Sequence, residues 1–170
     1  MSQARRFRGS PALVVAIALT GASGGVPAQP LDDLPPVVGA TQIFVADGRS
    51  GLGLFGFDPV SYFSAPAPLA GREGIELIWS GLAWRFASQA NREAFARDPD
   101  VYAPRIGGYD AAAAADGRLV AGDAAVFAIR DGRLYVFRDA RSRARFLADA
   151  ALAGRAEARW PALARDLVRG

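Results

Sequence analysis

The sequence predicts an α+β fold, a small antiparallel sheet of hairpins with short helices packed around it. Two observations lead there. Two segments rich in β-branched, aromatic and other apolar residues each fold about a two-residue turn, Ser80-Gly81 and Asp131-Gly132. Short stretches opened by helix-start residues lie between and after them. With 51% hydrophobic and 22% charged residues, the 170-residue chain has the composition of a globular protein, not a disordered one.

Taken in chain order, the first element is a leader. Arg5, Arg6 and Arg8 form a positive region, and Ala12 to Leu19 is an apolar run. That run is far short of the ~20 residues that span a bilayer. Val26-Pro27-Ala28 puts small residues where a signal peptidase reads. Residues 1–28 therefore read as a signal peptide, and the product as periplasmic or secreted, with no transmembrane anchor after cleavage. Residues 29–42 open on the proline- and acid-rich QPLDDLPPVVG and read as a flexible tether. The rest, 43–170, reads as a single domain, since a chain of this length suffices for one core. The chain carries 20 basic and 17 acidic residues, net +3, and the three leader arginines account for that excess. Without them no global charge favours nucleic acid.

Residues 43–63 hold a strand or two and a short helical turn, with Asp58-Pro59 as the helix start. The two-residue turn at Ser80-Gly81 sets Trp79 opposite Leu82, Leu77 opposite Trp84 and Ile75 opposite Phe86, all on one apolar face. Glu76–Arg85 and Ile78–Ala83 fall on the other face. Ser88 caps a helix over Gln89–Ala96 that Asp98-Pro99 stops. The second hairpin spans Ala125–Arg138. It pairs Ile129 with Leu134 and Phe127 with Val136 on one face, Ala128 with Tyr135 and Val126 with Phe137 on the other. Both faces are apolar, so helices are expected to cover both. A helix over Ala140–Ala150 is expected to turn Ala140, Ala144 and Leu147 inward, with Arg138, Arg141, Arg143 and Arg145 forming a solvated basic face. A last helical stretch, Arg155–Val168, is expected to break or kink at Trp160-Pro161, with the indole packed.

The chain has no cysteine, no histidine and no lysine. This excludes disulfides, thiolate and imidazole ligation of metals, Ser-His-Asp and Cys-His catalysis, and Schiff-base chemistry. What remains for chemistry is carboxylate, hydroxyl and guanidinium. The stretch GGYDAAAAADG, Gly107 to Gly117, concentrates two of these. Asp110 stands before five alanines, where a carboxylate accepts from free helix N–H groups. Asp58 repeats that arrangement before Pro59, and Tyr62 and Tyr109 stand close to each in sequence. A capping role explains both aspartates, and half-buried packing both tyrosines. If the two helix starts converge, Asp58, Tyr62, Tyr109 and Asp110 line one candidate ligand-binding cleft. Two carboxylates are few for calcium, and no catalytic or metal-ligating residue is assigned.

At these positions the sequence becomes familiar. GLFGFDPVSYF (Gly53 to Phe63), WSGLAWRFASQANREAFARDPDVYAPRIGGYD (Trp79 to Asp110) and DGRLYVFRDARSRARFLADA (Asp131 to Ala150) resemble the secreted bacterial YHS-domain proteins. The resemblance covers about residues 53–160 and implies a YHS-like fold. It also implies cysteine metal ligands at the positions of Ala87 and Asn91, and a cysteine at that of Asp110, all replaced here. The resulting expectation is an exported, non-catalytic module with no cofactor that binds an unknown small molecule or a periplasmic protein. Two alternatives stand beside it: a periplasmic metal-binding protein using oxygen ligands, and a small enzyme working through carboxylates and tyrosines.

Overall fold

The structure is a computed structural model that describes residues 43–169. The signal peptide and tether expected over 1–28 and 29–42 lie outside the described residues. The architecture is α+β. A 3-10 turn at Leu54–Gly56 leads to α1 (Ser61–Ser64), β1 (Glu76–Trp79), β2 (Leu82–Arg85), α2 (Gln89–Arg97) and α3 (Pro99–Tyr102). A second 3-10 turn, Arg105–Gly108, leads to α4 (Ala111–Ala115), β3 (Asp123–Arg130), β4 (Arg133–Phe137), α5 (Ala140–Ala148) and α6 (Leu152–Arg169). Among the described residues no helix is long and apolar enough to cross a membrane.

Both hairpins form as antiparallel pairs, each its own two-stranded sheet. The first keeps the expected register throughout, with Glu76 opposite Arg85, Leu77 opposite Trp84, Ile78 opposite Ala83 and Trp79 opposite Leu82. Ser80 and Gly81 both take positive φ, 50° and 74°, the turn geometry that matches strand twist. On the outer face Arg85 Nη2 meets Glu76 Oε1 at 2.7 Å. The second hairpin keeps its register near the turn, pairing Ile129 with Leu134, Ala128 with Tyr135 and Phe127 with Val136. It then departs from expectation. Phe137 faces Asp123, not Val126, because a bulge lies between Asp123 and Phe127. Extra residues on one strand re-aim it locally, a change that alternation of side chains does not disclose.

Strand β4 is the shared wall of two hydrophobic cores. Leu134 and Val136 join Trp84, Phe86, Phe95, Leu82 and Tyr62 in one. Tyr135 and Phe137 join Phe146, Leu152, Ala156 and the α4 alanines in the other. Both faces of β4 are therefore covered, as its apolar pattern demands. Helices α4, α5 and α6 cover one of them; the aromatic face of the first hairpin, together with Tyr62 of α1 and Phe95 of α2, covers the other. In that layer Trp84 stacks against Phe95 at 5.4 Å and Trp79 meets Phe95 edge-on at 5.5 Å.

The helices follow their caps. Ser88 Oγ accepts from the Asn91 N–H, opening α2, and Asp139 accepts from the Ser142 N–H, opening α5. Two helical expectations fail. In α5 the inward residue is Phe146, fully buried, while Ala140, Ala144 and Leu147 are exposed. One large ring that fills a core site outweighs a stripe of small residues. Helix α6 runs without interruption through Pro161. A mid-helix proline costs about 3 kcal/mol. Leu152, Ala153 and Ala156 before it, and Leu163 after it, pack on one core and hold the helix across that site. Trp160 is packed as expected, its ring 5.9 Å from that of Tyr109.

Candidate functional site

Asp58 is fully buried, and both of its carboxylate oxygens are engaged. Its Oδ1 accepts from the Val60 N–H at 2.9 Å. Its Oδ2 accepts from the Ala87 N–H at 2.8 Å and from Asn91 Nδ2 at 2.6 Å. One carboxylate thereby ties the start of α1 to the end of the first hairpin and to α2. The Ala87 and Asn91 donors meet on a single carboxylate oxygen.

Asp110 is also buried and doubly held. Its Oδ1 accepts from the Ala113 N–H at 2.9 Å, the expected cap. Its Oδ2 accepts from the Arg138 N–H at 2.9 Å, a link across the fold that no local pattern announces. The Tyr62 hydroxyl donates to the Ala124 carbonyl at 2.8 Å. Burial pushes that hydroxyl well above its ordinary range, and the Asp123 and Asp58 charges add to it, so it stays a neutral donor. Tyr109 is half-buried, and burial pushes its hydroxyl up as well. None of the four clefts found among the described residues is lined by all four together. Among the described residues no group of three or more carboxylates stands close enough to hold a metal ion.

A different cleft, of about 440 Å³, opens beside them. Phe55, Phe57, Asp123 and Arg138 line it, with the Ala121–Ala124 segment as its floor. Three of the four expected residues buttress that floor from behind. Tyr62 bonds to Ala124, and Tyr109 pairs with Ala121. Asp110 donates its N–H to the Val120 carbonyl at 2.8 Å and anchors the Arg138 backbone. Gly122 donates to the Gly108 carbonyl, and a Cβ at Gly122 would lie 2.7 Å from that oxygen. The backbones pass too close for any other residue.

The lip of the cleft carries strain. Leu54 and Phe55 both take left-handed φ, 49° and 54°, at a cost of about 1–2 kcal/mol each. Phe55 is left 44% exposed, a large aromatic at the mouth of a cavity. Two opposite charges share the site. Asp123 Oδ1 accepts from the Ala125 N–H at 2.9 Å, and no other bond to its carboxylate occurs among the described residues. Arg138 reaches Asp139 Oδ2 through Nε and Nη2, at 3.1 and 2.9 Å. No ion pair joins Asp123 to Arg138.

Sequence reasoning missed this set. Phe55 and Phe57 look like ordinary core residues of a loop, and Asp123 precedes a strand with no distinguishing neighbour. Arg138 belongs to the basic run, whose arginines are indeed exposed. Their partners separate them: Arg145 grips Asp116 at 2.6 and 2.7 Å and Arg143 donates to the Phe127 carbonyl, whereas Arg138 faces the cleft.

No histidine or cysteine is present to titrate in the neutral range. Arg145 hydrogen bonds hold the Asp116 carboxyl at about 2. The Ser50 hydroxyl lowers Asp47, the Ser142 N–H lowers Asp139, and Arg155 lowers Asp149. Burial pushes Glu157 up, but the Tyr135 hydroxyl, Arg133 and Arg105 outweigh it and leave it lowered. Each depressed carboxyl stabilises the fold above its unfolded pKa, and that stability is lost as pH falls through the folded value. The buried hydroxyls of Tyr62 and Tyr135, the latter pushed up to about 12, act in the opposite sense: their contribution is complete below the unfolded value and fades as pH rises through the folded one. Urea midpoints should therefore be flat from about pH 5 to 9, falling below about pH 4 and above about pH 10. A midpoint changing by more than about a tenth within the plateau would contradict this.

No known protein family, curated protein or solved structure matches the chain.

Proposed function

We propose that this protein is an exported, non-catalytic module of the YHS type that holds a small ligand in the Phe55/Phe57/Asp123/Arg138 cleft. The observation that carries the reading is the cleft itself: about 440 Å³, walled by two phenylalanines, with Asp123 and Arg138 lining it and not paired to each other. Small-ligand sites have that form, mostly apolar with a few placed polar groups, and volumes of about 300–1,000 Å³. Binding is favoured over turnover because the lining offers no hydroxyl, thiol, imidazole or amine nucleophile. Both oxygens of each buried carboxylate, Asp58 and Asp110, already accept from backbone or amide donors, which favours a structural role for them over a carboxylate enzyme or an oxygen-ligand metal site. Export rests on the leader-like pattern of residues 1–28.

The test is a thermal-shift screen of the protein against small organic acids, amines, amino acids, divalent metals and haem. A true ligand at a hundred times its Kd stabilises the fold by about 2.7 kcal/mol. Phe55→Ala should weaken that ligand about tenfold or more, while leaving the melting temperature of the free protein nearly unchanged. A ligand whose affinity ignores Phe55→Ala would sink the cleft as the site.

A further inference from the structure

We propose that the ligand of this cleft is a small zwitterion, with its cationic nitrogen toward Asp123, its carboxylate toward Arg138 and its apolar body against Phe55 and Phe57. The inference rests on the cleft being the ligand site and adds the chemical class. Asp123 and Arg138 line the same cavity yet form no ion pair with each other. A purely anionic guest would meet the Asp123 carboxylate, and a purely cationic one the Arg138 guanidinium. A guest carrying both charges satisfies each.

Each side chain has capacity left. Asp123 spends one oxygen on the Ala125 N–H, which fixes the carboxylate and leaves Oδ2 for a donor. Arg138 meets Asp139 through Nε and Nη2, which leaves Nη1 available. That neighbour pair is exposed, 63% and 40% by side chain, so it competes weakly with an incoming carboxylate. The root of Arg138 is immobilised because its own N–H is held by the buried Asp110. A guanidinium on a fixed stem is suited to a planar carboxylate. Phe55 and Phe57 supply faces that favour both an apolar group and an ammonium. The volume, near the lower end for ligand sites, suits one amino acid or betaine and not a polymer.

The experiment is calorimetric titration of the intact protein with L-phenylalanine, L-leucine and glycine betaine. Phenylalaninamide lacks the carboxylate and N-acetylphenylalanine lacks the ammonium. At least one of the three zwitterions should bind, and phenylalanine should lose about tenfold or more on removal of either charge, the worth of one charge-assisted bond. In Asp123→Asn the N-acetyl derivative should approach the parent; in Arg138→Gln the amide should. Asparagine can still accept from the Ala125 N–H, and the derivative series on the unaltered protein needs no variant to fold. Failure of all three zwitterions to bind, or equal binding of the derivatives, overturns the inference. If a ligand of another charge class then binds in a Phe55-dependent way, the cleft stands and only the class is wrong. If a zwitterion binds but ignores Phe55→Ala, Asp123→Asn and Arg138→Gln alike, both readings fail.

Discussion

Replacing Asp58 with alanine should destabilise the protein by about 3–5 kcal/mol, an effect as large as emptying a core site. The side chain accepts three hydrogen bonds from three separate segments, and no water reaches it to take over. Truncation takes the acceptor from the half-buried Ala87 N–H and Asn91 amide as well as from the buried Val60 N–H, and an unsatisfied buried donor costs about 1–3 kcal/mol. Asp58→Asn is the sharper variant. Its oxygen can keep one set of partners, but its NH₂ must then face a donor. It should recover less than half of the alanine loss. Denaturant unfolding monitored by tryptophan fluorescence reads the outcome directly, because Trp84 and Trp79 sit in the core that Asp58 closes. A loss below about 1 kcal/mol for Asp58→Ala would show that the carboxylate is not a structural clasp.

Gly107→Ala should be comparably damaging, at about 3 kcal/mol or more, for a different reason. Gly107 takes φ +60°, and a Cβ there would be driven into the Ile43 carbonyl oxygen and lie 2.9 Å from the Trp160 ring. The obstruction is main chain, so no rotamer change relieves it. Gly132→Ala is the internal control: its φ is +68°, but nothing lies within 4 Å of the added methyl. It should cost only the backbone strain, about 1–2 kcal/mol. The difference between the two variants isolates the collision. Equal losses, measured as urea midpoints with unchanged slopes, would refute the close packing of Ile43 and Trp160 on this turn.

The parts of the fold legible in the sequence were those governed by local rules. Two residues, Ser80-Gly81, fix the register of β1 against β2, and the hydrophobic alternation agrees with that register at every pair. Ser88 and Asp110 announce helix starts because a cap acts over three residues. The failures have a common cause in long-range packing. Pro161 is tolerated because a helix held on both sides of it pays the proline's cost. The inward face of α5 is decided by where Phe146 fits, not by which residues recur at helical spacing. The bulge in β3 inserts residues that alternation alone cannot register. The site was legible only at one remove. Asp110, Tyr62 and Tyr109 were singled out from residue type and position, and each turns out to brace the cleft floor without facing the cavity. Of the residues that do face it, Asp123 pairs across the hairpin with Phe137, the neighbour of Arg138, a relation that appears only once the bulge is placed.

The position of β4 between two packed layers has a consequence for cooperativity. Alternate side chains of a five-residue strand complete both interiors. Neither half can melt, be excised or be exchanged while the other keeps its shape, since withdrawing that strand strips each layer of its central aromatic or branched contacts. The domain thus behaves as a single unit in which a defect introduced beside Trp84 is felt at Phe146, although no sheet connects them.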